Sequence, residues 1–154
     1  MRKKRVLFCA SAGGHYTELM QLADLIDQFD SVVMTERTEV SKKSSFKTVY
    51  VPYSSRAEGW VYFFKFAYVS LLSMFYFIFF RPKVVVSTGV HSTLPICVLA
   101  WIFKRHIIYI ETVAAVKTPT MTGKLMYKIA NDFYVQWEEL LNIYPNAIYG
   151  GVIF

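Results

Sequence analysis

The first stretch of the chain that can do chemistry is a small-residue loop running directly into a histidine. The sequence "FCASAGGHYTELMQLADLI", residues 8–26, passes from an apolar run through Gly13 and Gly14 to His15. Adjacent glycines let a ligand approach the backbone closely, and free N–H groups before a helix favour an anion. The imidazole of His15 is suited to donating to a phosphate or to acting as a base. Three interpretations stand: a phosphate-binding loop, a catalytic site and a tight turn.

Two later loops carry further candidate residues just after apolar runs. Thr88, Gly89 and His91 follow the first run, and Glu111 closes the second, with Lys117 six residues later. A carboxylate in this position is costly unless it is paired. Glu111 is therefore predicted either to bind hydroxyls or accept a proton, or to form an ion pair with Lys117. His91 has the same two interpretations as His15, a functional one and a structural one.

These loops are far apart in sequence but are expected to meet in space. Ligands of a parallel sheet bind beyond the carboxyl ends of its strands, where loops 11–15, 88–92 and 111–118 all fall. The first loop matches neither a dinucleotide-binding fingerprint nor a Walker loop, and the chain shows no catalytic triad or metal-ligand spacing. Cys9 and Cys97 lie in apolar runs and are predicted to be buried thiols. No metal or cofactor is expected.

The elements that must position these loops are alternating strands and helices. Short apolar runs predict strands over 6–10, 31–35, 47–52, 84–88, 107–110 and 132–136. Helical spacing predicts helices over 15–29, 60–80, 96–103 and 123–130, and a helical turn over 138–143. Residues 36–46 are predicted to be a loop, and Ser92 or Thr93 to cap the helix that follows. The alternation predicts an α/β fold with a doubly wound parallel sheet.

The segment 60–80, "WVYFFKFAYVSLLSMFYFIFF", has one charge and no polar face. Its length suffices for a membrane span. A single span would, however, separate the strand at 84–88 from the earlier strands of its own sheet. A helix, or a broken helical hairpin, lying against or dipping into the bilayer is therefore favoured over a span and over a core helix. The predicted membrane contacts are Trp60, Phe63, Phe64, Phe75, Phe79 and, at the headgroups, Arg81.

Composition limits the class of protein. The chain has 154 residues, which fits one domain over 1–154, and 55% of them are hydrophobic. Its net charge of +6 does not form a dense stripe among exposed aromatics, so nucleic acid is not an expected partner. Gly13 and Gly14 cut the first apolar run short, so no cleavable signal peptide is predicted. The expected location is the cytoplasmic face of the cell membrane, as a peripheral or monotopic protein.

Four stretches together resemble a known family. The stretches are "SAGGHYTELMQL", "STGVHSTLPIC", "YIETVAAVKTPTMTGKLMYKIANDFYVQWEELL" and "YPNAIYGGVIF". They are similar to the PssD-type bacterial capsule and exopolysaccharide proteins. Those are relatives of the acceptor-side subunit of the two-part N-acetylglucosaminyltransferase of lipid-linked oligosaccharide synthesis. A more distant similarity links the chain to the N-terminal half of MurG, a GT-B glycosyltransferase.

The resemblance implies half of an enzyme, a Rossmann-like N-terminal half of a GT-B transferase. Such a half binds the acceptor and the membrane, so a separate chain resembling the C-terminal half is expected to hold the nucleotide-sugar donor. The expected acceptor is a polyprenyl-diphosphate-linked sugar. By analogy, His15 and Glu111 are candidate catalytic residues. Gly13, Gly14, Thr88, Gly89, His91 and Lys117 are candidate acceptor or phosphate ligands, and Trp137, Glu138, Tyr149, Gly150 and Phe154 are candidate partner contacts.

The chain also departs from the family pattern. Ser11 stands where a further glycine is usual, and Ala115 stands where an arginine is common. The leading hypothesis is an accessory subunit of a two-component glycosyltransferase in capsular or exopolysaccharide synthesis. A self-sufficient transferase and a non-catalytic membrane scaffold remain as alternatives.

Overall fold

The structure is a computed structural model that describes residues 3–53, 58–89 and 91–153, without the side chain of His91. Its strands are β1 (Arg5–Cys9), β2 (Asp30–Glu36), β3 (Thr48–Val51), β4 (Val84–Ser87), β5 (His106–Ile110), β6 (Asp132–Val135) and β7 (Ile148–Tyr149). They form one sheet in the order β3-β2-β1-β4-β5-β6-β7. Every neighbouring pair is parallel. The predicted α/β fold with a parallel sheet is confirmed.

Helices cover both faces of this sheet. They are α1 (Gly14–Met20), α2 (Ala23–Gln28), α3 (Trp60–Phe80), α4 (Leu94–Ile102) and α5 (Met121–Ile129). The side chains of α3, α4 and α5 pack into one core cluster, and those of α1 and α2 into a second. The sheet is therefore doubly wound, as predicted.

The central strand β1 shows why its sequence has no polar face. Leu7 and Cys9 point into the core under α3 and α4, whereas Val6 and Phe8 point into the core under α1 and α2. All four are at most 3% exposed. Each large apolar side chain buried in this way stabilises the fold by about 1.5–3 kcal/mol. A strand with helices on both faces consequently needs apolar residues at every position.

The single helix predicted over 15–29 is wrong, because the chain forms two helices there. Backbone bonds from Gln21 N to Glu18 O and from Leu22 N to Leu19 O tighten the last turn of α1 and end it. The carbonyl of Leu22 then starts α2 by accepting from Ile26 N. The apolar spacing continues across the break, so periodicity alone does not reveal it.

Two local predictions also need correction. Glu36 ends β2 instead of starting a loop, because its backbone pairs with Val51 of β3. Thr93 precedes α4, but its side chain makes no capping bond. The hydroxyl of Thr93 lies 3.2 Å from that of Ser87, so it ties the helix to the end of β4.

The helix α3 is exposed along most of its length. Among the described residues it is the one helix long and apolar enough to cross a membrane, with a mean hydropathy of 1.8 over the best 18-residue window. Only 17% of that window is buried, whereas the core helix of a soluble protein is mostly buried. Val69, Ser73 and Phe77 form its buried stripe, and Val69 and Phe77 belong to the core cluster that also contains residues of α4. The remaining apolar face has no cover within the described chain.

Candidate functional site

Three loops meet at the carboxyl edge of the sheet, as the sequence predicts. Loop 11–15 is bonded to the loop after β4, because Ser11 N–H donates to the carbonyl of Gly89 at 3.1 Å. The Thr88 hydroxyl donates to the carbonyl of His15 at 2.8 Å. The loop after β5 joins them through Glu18 of α1, whose Oε1 accepts from Thr112 Oγ1 at 2.8 Å.

The ring of His15 is held in one orientation. Its Nδ1 lies 2.8 Å from the carbonyl oxygen of Thr88, which can only accept, so Nδ1 carries the proton. In the neutral form of the ring, Nε2 is then the acceptor nitrogen, and no partner for it is found among the described residues. The side chain is 25% exposed. A neutral histidine fixed in this way is suited to accepting a proton from a bound hydroxyl.

The two glycines before His15 leave the backbone open. Gly13 has φ +80, in the left-handed region where an L side chain would be strained. No atom lies within 4 Å of where a Cβ would stand at Gly13 or Gly14, and both residues are exposed. Gly89 is different: its φ is +99, and a Cβ there would lie 3.3 Å from Tyr109 Oη and 3.4 Å from His15 Nδ1. Gly89 thus lets the second loop pack against the histidine.

Glu111 lies beneath this site and is fully buried. Its Oε1 accepts from Thr120 Oγ1 at 2.9 Å and from Thr112 N at 3.2 Å, and its Oε2 lies 3.5 Å from Tyr144 Oη. Burial raises the pKa of the Glu111 carboxyl, although the bonds from Thr120 and Thr112 oppose the rise. Burial and the charge of Glu111 also raise the pKa of Tyr109. In this conformation the carboxyl faces helix α5 and not the solvent.

The ion pair considered for Glu111 and Lys117 does not form. Lys117 is exposed, and no ion pair with it occurs in the described part of the chain. Its ammonium group therefore lies on the surface of the loop after β5. From there it is accessible to an anionic ligand.

The buried carboxyl group of Glu111 requires a residue without a Cβ at position 123 of α5, and Gly123 meets that requirement. A Cβ at Gly123 would stand 1.7 Å from Glu111 Oε2 and 3.0 Å from Thr120 Oγ1. Helix propensity alone would make alanine better than glycine here by about 1 kcal/mol. The carboxyl group cannot move aside without breaking its bonds to Thr120 and Thr112, so the steric term dominates.

We expect Gly123→Ala to lower the free energy of unfolding by about 2–3 kcal/mol, because overpacking displaces a buried, bonded carboxyl group. Urea unfolding followed by circular dichroism measures this change. The matched control is Gly14→Ala, since a Cβ at Gly14 meets no atom within 4 Å. Equal stability of the two variants would contradict the packing argument.

The candidate partner contacts lie along one end of the sheet. Trp137 is half-buried, and its indole N–H donates to the carbonyl of Val113 at 2.6 Å, which braces the loop after β5. Glu138, Tyr149 and Gly150 are exposed, and Tyr149 belongs to the edge strand β7. Phe154 and the side chain of His91 lie outside the described residues.

Sequence reasoning missed two buried acids next to the loops. Glu18 is 2% exposed and lies three residues after His15 on α1. Glu36 is also 2% exposed, and its Oε2 accepts from Ala12 N at 2.9 Å. The spacing of His15 and Glu18 could have predicted that the two side chains lie side by side, since residues three apart share a helix face. Within the described ranges no cluster of His, Cys, Asp and Glu could hold a metal ion.

Comparison with known proteins identifies the family. Residues 6–153 match the family described as "Oligosaccharide biosynthesis protein Alg14 like". The UDP-N-acetylglucosamine transferase subunit ALG14 of Mus musculus is 27% identical over 97% of this chain and 82% of its own length. The subunit of the same name from Candida albicans is 25% identical over 92% of this chain and 74% of its own length.

A solved structure supports the fold. Acinetobacter baumannii MurG superposes with a TM-score of 0.71 at 16% identity, over 88% of this chain. The chain spans 42% of the length of that MurG chain, and the likeness concerns the fold alone. The fold thus resembles the Rossmann-like N-terminal domain of GT-B transferases. On the match over residues 6–153, the chain belongs to the Alg14-like family of oligosaccharide biosynthesis proteins.

Proposed function

We propose that the chain is the acceptor-side subunit of a two-component glycosyltransferase at the cytoplasmic face of the cell membrane. In this proposal residues 1–154 form one acceptor-side unit, related to the PssD-type proteins of capsular or exopolysaccharide synthesis. The observation that carries it is the ring of His15, which Thr88 holds through Nδ1 at the carboxyl edge of a GT-B-like sheet, so that Nε2 is the ring nitrogen left for a ligand. Family membership supports it, because the relatives are named as transferase subunits.

The reaction of the pair is transfer of a sugar from a nucleotide diphosphate to an acceptor hydroxyl. The hydroxyl oxygen forms a bond to the anomeric carbon, and the bond from that carbon to the diphosphate oxygen breaks. The electron pair of the broken bond leaves with the nucleoside diphosphate. His15 Nε2 takes the proton of the hydroxyl, while its Nδ1–H continues to donate to Thr88.

The acceptor is a sugar on a polyprenyl diphosphate. Gly13 and Gly14 offer open backbone for its phosphates, and Lys117 offers an exposed cation. Thr88, Gly89 and His91 are further acceptor ligands in this proposal. Glu111 serves as a positioning residue beneath the loop, because its buried carboxyl binds Thr112 and Thr120.

The membrane contact is the exposed face of α3. Trp60 is 83% exposed, Phe64 77% and Phe79 79%, which is costly in water and favourable in a bilayer interface. Phe63 and Phe75 lie on the same helix and are each at least 60% exposed. Arg81 follows the last turn of α3 and would contact headgroup phosphates.

The catalytic partner, which resembles the C-terminal half of a GT-B transferase, holds the nucleotide sugar. Its proposed contacts on this chain are Trp137, Glu138, Tyr149, Gly150 and Phe154. The short edge strand β7 is exposed, and an unpaired strand edge is a ready docking surface. A groove of about 300 Å³ beside it is lined by apolar side chains of α2 and of the sheet, among them Leu25 and Ile108.

The test is reconstitution in membranes. The chain is co-expressed with a candidate donor-half chain, and transfer from UDP-N-acetylglucosamine to a polyprenyl-diphosphate sugar is assayed with each chain alone and with both. We expect transfer only from the pair. Full activity of the partner alone would contradict the subunit proposal, and activity of this chain alone would indicate a self-sufficient transferase.

A further inference from the structure

Glu18 is a buried acid that the proposed chemistry has not yet used. Its Oε1 accepts two hydrogen bonds, from Thr112 Oγ1 and from Val113 N, each at 2.8 Å. Its Oε2 is buried and has no hydrogen-bond partner among the described residues. That oxygen lies 3.6 Å from Nδ1 of His15, too far for a hydrogen bond to the neutral ring.

An unsatisfied buried carboxylate oxygen needs an explanation, because burying a charge without a partner is costly. The two bonds of Oε1, which tie α1 to the loop after β5, do not explain the charge. The amide carbonyl of a glutamine would accept both bonds equally well. The negative charge and the free Oε2 therefore have another role. In the described part of the chain, His15 is the one side chain within ion-pair distance of Glu18 that becomes cationic when it is protonated.

The surroundings of His15 leave Glu18 as its nearest carboxylate. Tyr109 of β5 and Glu111 of the loop after it face the same space, but the Glu111 carboxyl is bonded to Thr120 and Thr112. Burial opposes ionisation of Glu18, yet His15 and the bonds from Val113 and Thr112 outweigh it and lower the pKa of the Glu18 carboxyl. Glu18 is therefore ionised in the folded protein at neutral pH.

We propose that Glu18 is a positioning residue for His15, whose carboxylate stabilises the imidazolium formed when Nε2 accepts the proton of the acceptor hydroxyl. The proposal rests on the proposed function and adds a residue to it. The proton stays on Nε2, Nδ1–H stays between Thr88 O and Glu18 Oε2, and no bond to Glu18 forms or breaks. Glu18 Oε2 thus has no hydrogen-bond partner before the reaction, and it stabilises the positive charge that forms on His15 during transfer.

The test uses Glu18→Gln in the reconstituted pair, because glutamine keeps the shape and both bonds of Oε1 but has no charge. We expect kcat to fall about 10- to 100-fold, because the charge that stabilises the developing imidazolium is lost. The KM values for donor and acceptor are expected to stay within about twofold, because Glu18 contacts neither substrate. Asp27→Asn, which removes an exposed carboxylate from α2, is the matched control and should leave kcat unchanged.

A double-mutant cycle separates charge from structure. His15→Asn keeps a side-chain N–H for Thr88 but has no basic nitrogen, so Glu18→Gln should change its residual rate by less than about twofold. An equal loss from Glu18→Gln with and without His15, or a parallel rise in KM, would overturn the proposal in favour of a structural role. So would an unchanged kcat of Glu18→Gln.

The same measurements keep the two proposals apart. If His15→Asn alone retains the wild-type rate, the role of His15 in the proposed function fails. If His15→Asn is inactive and Glu18→Gln has the wild-type kcat, only the role of Glu18 fails.

Discussion

Replacing His15 by alanine is expected to lower kcat of the reconstituted transferase about 10²- to 10⁴-fold, the usual contribution of a general base. The loss follows from the geometry of the ring: Thr88 fixes the proton on Nδ1, which leaves Nε2 as the group that takes the hydroxyl proton. Because the side chain is 25% exposed, little packing is lost with it. The measurement is transfer of labelled sugar by membranes containing both chains.

Two variants make this result specific. His15→Asn retains an N–H where Nδ1 donates to Thr88, so it should fold like the wild type and be as inactive as His15→Ala. His106 lies at the opposite edge of the sheet, where its Nε2 pairs with Asp132 at 2.6 Å. We expect His106→Ala to stay within about twofold of the wild-type rate. If His15→Asn keeps the wild-type rate, the loop acts as a turn and the scaffold alternative is favoured.

The strands were predictable because of what surrounds them. Val85 and Val86 of β4 and Ile107 and Tyr109 of β5 are buried in the core clusters on the two faces of the sheet, and this demands apolar sequence at successive positions. The carboxyl edge of a parallel sheet then fixes where His15 and Glu111 must lie, before any contact is known. Convergence of the three loops follows from topology alone, and it was predicted correctly.

The chemistry of the individual acids was not predictable in the same way. Glu111 lies at the position expected of it, but its carboxyl turns towards Thr120 and Tyr144 instead of Lys117. That choice depends on Gly123, whose missing Cβ makes room for the carboxyl. A glycine inside a helix has no local signature of this role, because the space it provides is used by a residue twelve positions earlier.

The break between α1 and α2 was not predictable from the local sequence either. The chain turns after Gln21 without a glycine or proline, and the apolar spacing runs through the break. The local backbone bonds of Gln21 and Leu22 end α1 there. The contacts of Glu18, in contrast, join segments about 95 residues apart, as in the bond from Val113 to Glu18.

Replacing Trp60, Phe63 and Phe64 together by serine is expected to abolish binding of the chain to lipid vesicles. Burying an aromatic side chain of this size is worth about 1.5–3 kcal/mol, so three partly inserted ones contribute about 4–6 kcal/mol. This corresponds to about 10³- to 10⁴-fold weaker partitioning. A headgroup contact of Arg81 adds only about 1 kcal/mol, so added salt should weaken binding far less than the triple substitution.

Flotation with vesicles of phosphatidylethanolamine and phosphatidylglycerol measures this effect. The matched control replaces three exposed apolar residues outside α3, Val40, Leu125 and Ile143, by serine, and it should float like the wild type. Circular dichroism should show both triple variants folded, because none of the six side chains is buried. Unchanged flotation of the α3 variant would contradict a membrane role for this helix. Labelling of the two ends of α3 from opposite sides of sealed vesicles would instead indicate that α3 crosses the bilayer, because both ends of a surface helix stay on the side to which the protein was added.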